Sequence, residues 1–286
     1  QAEDGIRDHC VTGVQTCALP ILLRSERPQL LLEADASDPA AASNAIAAAM
    51  GLAESALSHE RLAAAGVQAG APPFEVVPHR SYNPEGISQY NTVPGLLGVI
   101  LTMTMAMMPA LALTREVERG TMENLLAMPV TPLEVMLGKV LPYAGMGAVQ
   151  VAIILGVAYG VFEVPMQGSY VLLCVMIGLF IACVSTLGYL ISTLARSQMQ
   201  AMQLTFFFFL PSMLLSGFMF PFRGMPEWAQ HIGSVFPLTH FLRIVRGIML
   251  KGAGVAEVAP HTWPLLLFLF VVATVALTRF QRTLDA

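Results

Sequence analysis

Five stretches of this chain contain no Asp, Glu, Lys or Arg at all: residues 93–114, 140–162, 169–195, 199–222 and 262–278. A helix needs about 20 predominantly apolar residues to cross a hydrocarbon layer of ~30 Å. Each charge at a helix centre would cost about 2.5–3.5 kcal/mol on insertion, so charge-free runs of this length mark membrane spans. Composition agrees. The chain is 55% hydrophobic and 12% charged with a mean hydropathy of +0.65, against roughly a quarter charged in a soluble domain. These values exclude a disordered tail, a disulfide-framework miniprotein and an ordinary cytosolic enzyme. The expected fold is mainly α, a polytopic helical membrane protein with five transmembrane helices.

Charge divides the chain. Residues 1–91 carry 5 Lys+Arg and 11 Asp+Glu, whereas residues 92–286 carry 10 and 8. Among the breaks between spans, Arg115, Arg119 and Lys139 lie in the first, Arg196 in the third, and Arg279 and Arg282 follow the last. The second break, around Glu163, has no Lys or Arg. The positive-inside rule therefore places the first and third loops and the C-terminus in the cytoplasm, and residues 22–91 outside. The fourth break runs against that bias, with Arg223, Arg243, Arg246 and Lys251. The external segment reads as a partial α/β domain: a strand-like run at 29–33, an Ala-rich helix opened by Ser37-Asp38-Pro39 and reaching about Ser58, and a second strand-like run at 74–78.

Residues 1–21 resemble a translated sequencing-library adapter: Val11 to Ile21 match one adapter stretch, Gln1 to Asp8 match a primer, and two residues fit an index between them. They are set aside from fold reasoning. The expectation is a chain shortened at its start, with an earlier helix bringing the spans to six. With Cys10 and Cys17 set aside, Cys174 and Cys183 remain, both in an apolar run, and no CxxC metal site is indicated.

The first loop, 115–139, is the richest in local signals. Gly120 breaks the exiting helix and Thr121 caps a new one. Pro129 stops that short helix, on which Met122, Leu125, Leu126 and Met128 share a side. Thr131-Pro132-Leu133-Glu134 is a capping box that starts the next span. The apolar side of the short helix rests either in lipid headgroups or, the favoured reading, against a cytosolic partner.

Several strings carry a resemblance to a known family. Arg115 to Thr121 with Glu123, Pro129, Pro132 and Gly138-Lys139 resembles the cytoplasmic loop of type-two ABC exporter permeases. Ser81-Tyr82-Asn83-Pro84 with Val93-Pro94-Gly95 resembles the start of their second helix. Ser192 to Arg196 with Gln200 to Gln203 is similar to their third cytoplasmic turn, and Ser216-Gly217-Phe218, Phe236 to Thr239, Arg246-Gly247-Ile248 and Lys251-Gly252 to their outer segment. The resemblance runs from about residue 28 to the C-terminus and is strongest to bacterial multidrug-exporter permeases with a large external domain. Asn91 departs from it, standing where a bulky apolar residue is expected.

The resemblance implies a division into an external domain at 22–91 and a permease domain at 92–286, in the bacterial inner membrane. It implies that 121–128 is a coupling helix docked on a separate ABC ATPase subunit, with Glu116, Glu118, Arg119, Gly120, Thr121, Glu123, Leu125, Leu126 and Pro129 at the contact. ATP and Mg would then be held by that partner. The sequence has no GxxxxGK[ST] phosphate loop of its own, and this chain is expected to bind no cofactor. Further expected partners are a second permease copy or paralogue, a periplasmic membrane-fusion adaptor and membrane lipid, but no nucleic acid.

Residues 226–251 read as two short interfacial or re-entrant helices. The second carries Leu238, Phe241, Leu242, Val245 and Met249 on one side and His240, Arg243 and Arg246 on the other. By resemblance they roof the pathway at an outer gate containing Pro237, His240, Arg243, Arg246 and Gly247. His240 and Arg246 are read as interfacial anchors in preference to substrate contacts. Gly156 and Gly160 form a GxxxG compatible with close helix packing, although glycine is common in such spans. A multidrug or amphipathic substrate is expected, with a lipid-linked glycan as the alternative. A membrane anchor or channel is the competing class. An intramembrane enzyme is disfavoured, since HExxH is missing and no acidic residue lies in an apolar run.

Overall fold

The computed structural model describes residues 29–35, 42–52, 75–82, 85, 87–120 and 131–284. The chain divides into two compact units, 1–86 and 87–286. In the first, strand β1 (Gln29–Asp35) pairs in parallel with β2 (Glu75–Ser81), with Gln29 opposite Glu75 and Asp35 opposite Ser81. Parallel strands need a long crossover, and helix α1 (Ala42–Leu52), which buries Ala42 and Ile46, lies between them in sequence. The Ser81 hydroxyl donates to Glu33 Oε1 at 2.9 Å, tying the strand ends side chain to side chain.

The second unit is helical: α2 (Ser88–Glu118), α3 (Pro132–Gly160), α4 (Tyr170–Leu194), α5 (Gln198–Leu215), α6 (Glu227–Gly233), α7 (Pro237–Lys251) and α8 (Val255–Leu284). By length and composition α2, α3, α4 and α8 can each cross a membrane. The fourth apolar run, expected over 199–222, is helical only to Leu215. Ser216 and Gly217 turn the chain there, Gly217 at φ +85°, a conformation that glycine adopts without a Cβ clash. At the other extreme, α8 starts seven residues before its apolar run, capped as the Glu257 carboxylate accepts from the Gly254 N–H at 2.9 Å.

The helices reverse in succession, so residues 119–120, 131 and 195–197 gather at one end, the loop end. Residues 161–169 and 216–254 gather at the opposite end, where the Gln167 N–H donates to the Met249 carbonyl at 3.0 Å. Helices α2 and α4 form the centre and bury 56% of their most apolar stretch, against 11% for α3 and 17% for α8. The main core joins Leu97, Leu101 and Met105 of α2 to Leu173, Ile177 and Phe180 of α4 and to Leu238, Phe241 and Ile248 of α7. Phe180 stacks on Phe241 with ring centroids 3.9 Å apart. Toward the loop end, smaller clusters join Ala110, Ile191, Ala201 and Val272, and Leu113, Met136, Tyr189 and Ala276.

Close approach of backbones sets this packing, as expected where lipid is as apolar as the helix surfaces. A Cβ on Gly188 would fall on the Ala106 carbonyl oxygen, and one on Gly98 would meet Leu238 Cδ1 at 2.9 Å. A Cβ on Gly156 or Gly160 would meet nothing within 4 Å among the described residues, so the GxxxG marks no close packing there. Gly188→Ala should therefore lower thermal stability in detergent by about 1–3 kcal/mol, the usual range for overpacking. Gly156→Ala, in open space, should be neutral or slightly stabilising. The reverse order of melting temperatures would overturn this account of the packing.

Candidate functional site

At the loop end, α2 closes as its sequence prescribes. Arg119 caps it and Gly120 takes φ +69°, so that the Gly120 N–H reaches the Val117 carbonyl at 3.1 Å. Helix α3 opens on the expected capping box: Glu134 N–H donates to Thr131 Oγ1 at 3.4 Å, and Thr131 N–H donates to Glu134 Oε2 at 2.8 Å. Thr121, Glu123, Leu125, Leu126 and Pro129 lie outside the described residues, so the site is defined by its stems.

Both stems are held within the chain. Glu116, half-buried on α2, forms an ion pair with Lys139 Nζ of α3 at 2.5 Å. Glu118 receives two hydrogen bonds from Gln198, the first residue of α5: the backbone N–H donates to Oε1 at 2.7 Å, and the side-chain amide donates to Oε2. Two of the three carboxylates read from the sequence as contacts for a partner, Glu116 and Glu118, are thus engaged inside this chain. Arg119 remains exposed. Sequence reasoning missed Gln198. The available signal was Ser197 followed three residues later by Gln200, a helix start in which Gln200 N–H donates to Ser197 Oγ at 3.3 Å and Gln200 Oε1 accepts from Arg196 N–H at 2.8 Å.

At the opposite end, α7 is inserted among α2, α4 and α8 rather than resting on their ends. Pro237 starts it and is buried, and Thr239 Oγ1 donates to the Gly233 carbonyl at 2.6 Å. Gly252 terminates it at φ +67°, and the Ala253 N–H reaches the Gly247 carbonyl at 3.0 Å. The polar side expected for this helix divides. His240 is only 9% exposed, Arg246 is half-buried, and Arg243 alone is exposed. The guanidinium of Arg243 lies 4.4 Å above the centroid of Phe222, and Arg246 Nη1 donates to the Gly217 carbonyl at 3.3 Å. His240 Nε2 donates to the Ser234 carbonyl at 2.8 Å, its Nδ1 finds no partner among the described residues, and the ring of His261 on α8 stands 5.8 Å away. Burial lowers the His240 pKa below its ordinary 6.5. The Ser234 bond opposes that shift and the Arg243 charge adds to it. Asn91, in the first turn of α2, leaves Oδ1 buried and without a partner among the described residues.

A bundle of long apolar helices, with charged groups tied at one end and a short helix sealed into the other, defines a polytopic helical membrane protein. A family model described as "ABC-2 family transporter protein" matches residues 25–278. The chain belongs to that family. It is 32% identical over 208 residues to a probable multidrug ABC transporter permease, YbhR, of Escherichia coli K12, covering 73% of this chain and 56% of the relative. It is 35% identical over 201 residues to the inner membrane transport permease YhhJ of the same organism, covering 66% and 52%. It is also 27% identical over 237 residues to ABC transporter G family member 20 of Dictyostelium discoideum, covering 80% and 32%. The chain spans about half the length of the bacterial relatives it matches.

Thr131→Ala should remove the α3 cap and cost about 1 kcal/mol of stability, measurable as a lower melting temperature. His240 sets a pH dependence. The unfolded chain binds its proton more readily than the folded one, so its contribution is complete above pH 6.5 and declines as pH falls through the lower folded value. His240→Gln should flatten the melting-temperature profile below pH 6.5. An unchanged slope would overturn the assignment.

Proposed function

We propose that this chain is the permease part of an ATP-driven exporter, working with a separate ATPase subunit that binds ATP and Mg and with a second permease copy. The observation that carries this reading is the loop end: two spanning helices whose stems are held by Thr131–Glu134, Glu116–Lys139 and Glu118–Gln198. Stems tied to neighbouring helices carry those helices with them when they are displaced. The residues between the stems supply an apolar contact in Leu125 and Leu126, as a helix-in-groove partner requires.

The loop end faces the cytoplasm of a bacterial inner membrane in this reading. Arg115, Arg119, Lys139, Arg196 and Arg279 belong to that end, which fits the positive-inside rule. Residues 22–91 then lie outside, and a periplasmic adaptor is a further partner. The substrate class is a multidrug-type amphipathic compound, supported by the similarity to Escherichia coli relatives named as probable multidrug permeases and by the apolar side chains of the spans.

The test pairs the permease with its ATPase subunit in inverted membrane vesicles. ATP should drive movement of an amphipathic fluorescent dye, and the double substitution Leu125→Asp, Leu126→Asp should weaken capture of the ATPase subunit by about tenfold or more, the factor that 1.4 kcal/mol represents. Undiminished capture would sink the docking assignment, and ATP-independent dye movement would sink the transport reading.

A further inference from the structure

Helix α5 is held at both of its ends. At the loop end, its first residue, Gln198, is bound through backbone and side chain to the Glu118 carboxylate, immediately before the turn at Gly120. A negative charge there also favours the positive pole of the α5 N-terminus. At the opposite end, three contacts join α5 to the short helices. Gly233 of α6 lies so close to the Leu215 carbonyl that a Cβ would stand 2.5 Å from its oxygen. Arg246 of α7 donates to the Gly217 carbonyl, and Phe208 meets Phe236 edge to face with centroids 5.4 Å apart. Between these attachments α5 spans about 27 Å at 1.5 Å per residue. Helix α3 reaches the same end only through the segment that follows it, where the Gln167 N–H donates to the Met249 carbonyl at 3.0 Å and Gly168 packs on the Ile248 carbonyl, so α5 differs from it in being attached to α6 as well as to α7.

We infer that Glu118 is a positioning residue that latches the loop-end stem of α2 to α5, so that displacement of that stem is delivered along α5 to the α6–α7 segment at the opposite end. The inference rests on the exporter reading and adds to it which helix carries the stroke and through which side chain. A latch of this kind needs a geometric match instead of a particular sign of charge. The pair has one acceptor-only group and one amide, and exchanging them across the contact preserves the bonding: the new amide oxygen at 118 accepts the residue-198 N–H, and its NH₂ donates to the new carboxylate. Glu118→Gln together with Gln198→Glu should therefore function, whereas Gln198→Glu alone sets two carboxylates against each other.

The experiment uses the assembled transporter with its ATPase subunit, in a background with the native cysteines replaced. A reporter is introduced by Met219→Cys, at a position 53% exposed in the segment after α5. The readout is the ATP-dependent change in its labelling rate by a membrane-impermeant maleimide. Glu118→Ala should reduce that change about fivefold or more, the lower end of ordinary coupling factors, with the ATPase subunit still co-purifying. Gln198→Glu alone should do the same, and the double exchange should restore the native response. A merely structural role would lower the melting temperature of the complex in step with the labelling change, whereas the latch predicts loss of the change with the melting temperature kept. The latch is overturned if Glu118→Ala leaves the native response intact, if the exchange fails to restore it, or if Glu118→Ala releases the ATPase subunit, which would make Glu118 a docking residue. A native complex with no ATP-dependent labelling overturns the exporter reading and the latch with it.

Discussion

Within hydrocarbon no water is present to bond an unpaired N–H or C=O, so every spanning segment must satisfy its backbone internally. The architecture of residues 87–286 follows from that constraint. The hydroxyls on the spans obey it too: Thr102, Thr114 and Thr205 each donate to the carbonyl four residues earlier, at 2.7–2.8 Å. Charged side chains are displaced to the helix ends, and the chemistry of the molecule has only those ends to occupy. One end receives Glu116, Glu118 and Lys139, and the other receives His240, Arg243 and Arg246. A device that moves one end in response to the other must therefore act through whole helices.

Helix α7 shows how far packing reshapes an amphipathic segment. At 15 residues it is too short to cross, and alone its polar residues would hold it at the interface. Gly98 opens a space on α2 into which Leu238, Phe241 and Leu242 fit, and Phe180 supplies a stacked partner from α4. The helix sinks into that space and takes His240 with it. The cost of burying the imidazole is limited by the Ser234 carbonyl, which accepts a hydrogen bond from Nε2, while burial itself favours the neutral ring. What the sequence presents as a polar stripe becomes one buried histidine, one half-buried arginine and one exposed arginine.

The loop-end stems divide along similar lines. Gly120 and the Thr131–Glu134 box are legible in the sequence because their partners lie within three or four residues, and local backbone geometry alone requires them. Glu118 and Gln198 stand 80 positions apart, and Gly188 and Ala106 stand 82 apart, so no local pattern announces either contact. The GxxxG at Gly156 shows the converse: a motif with favourable spacing at which an added Cβ would meet nothing among the described residues.

The membrane setting, the helical class, the ends of most helices and the family strings of the 115–139 loop were all written in the order of residues. Hydropathy, capping and helix-breaking act over one or two turns and need no knowledge of distant neighbours. The early end of α5 at Leu215, the insertion of α7, the close contact at Gly188 and the engagement of Glu116 and Glu118 inside the chain were decided by tertiary structure. Each depends on which face of one helix meets which face of another. That choice is made by shape complementarity between surfaces that hydrophobic pattern leaves nearly equivalent.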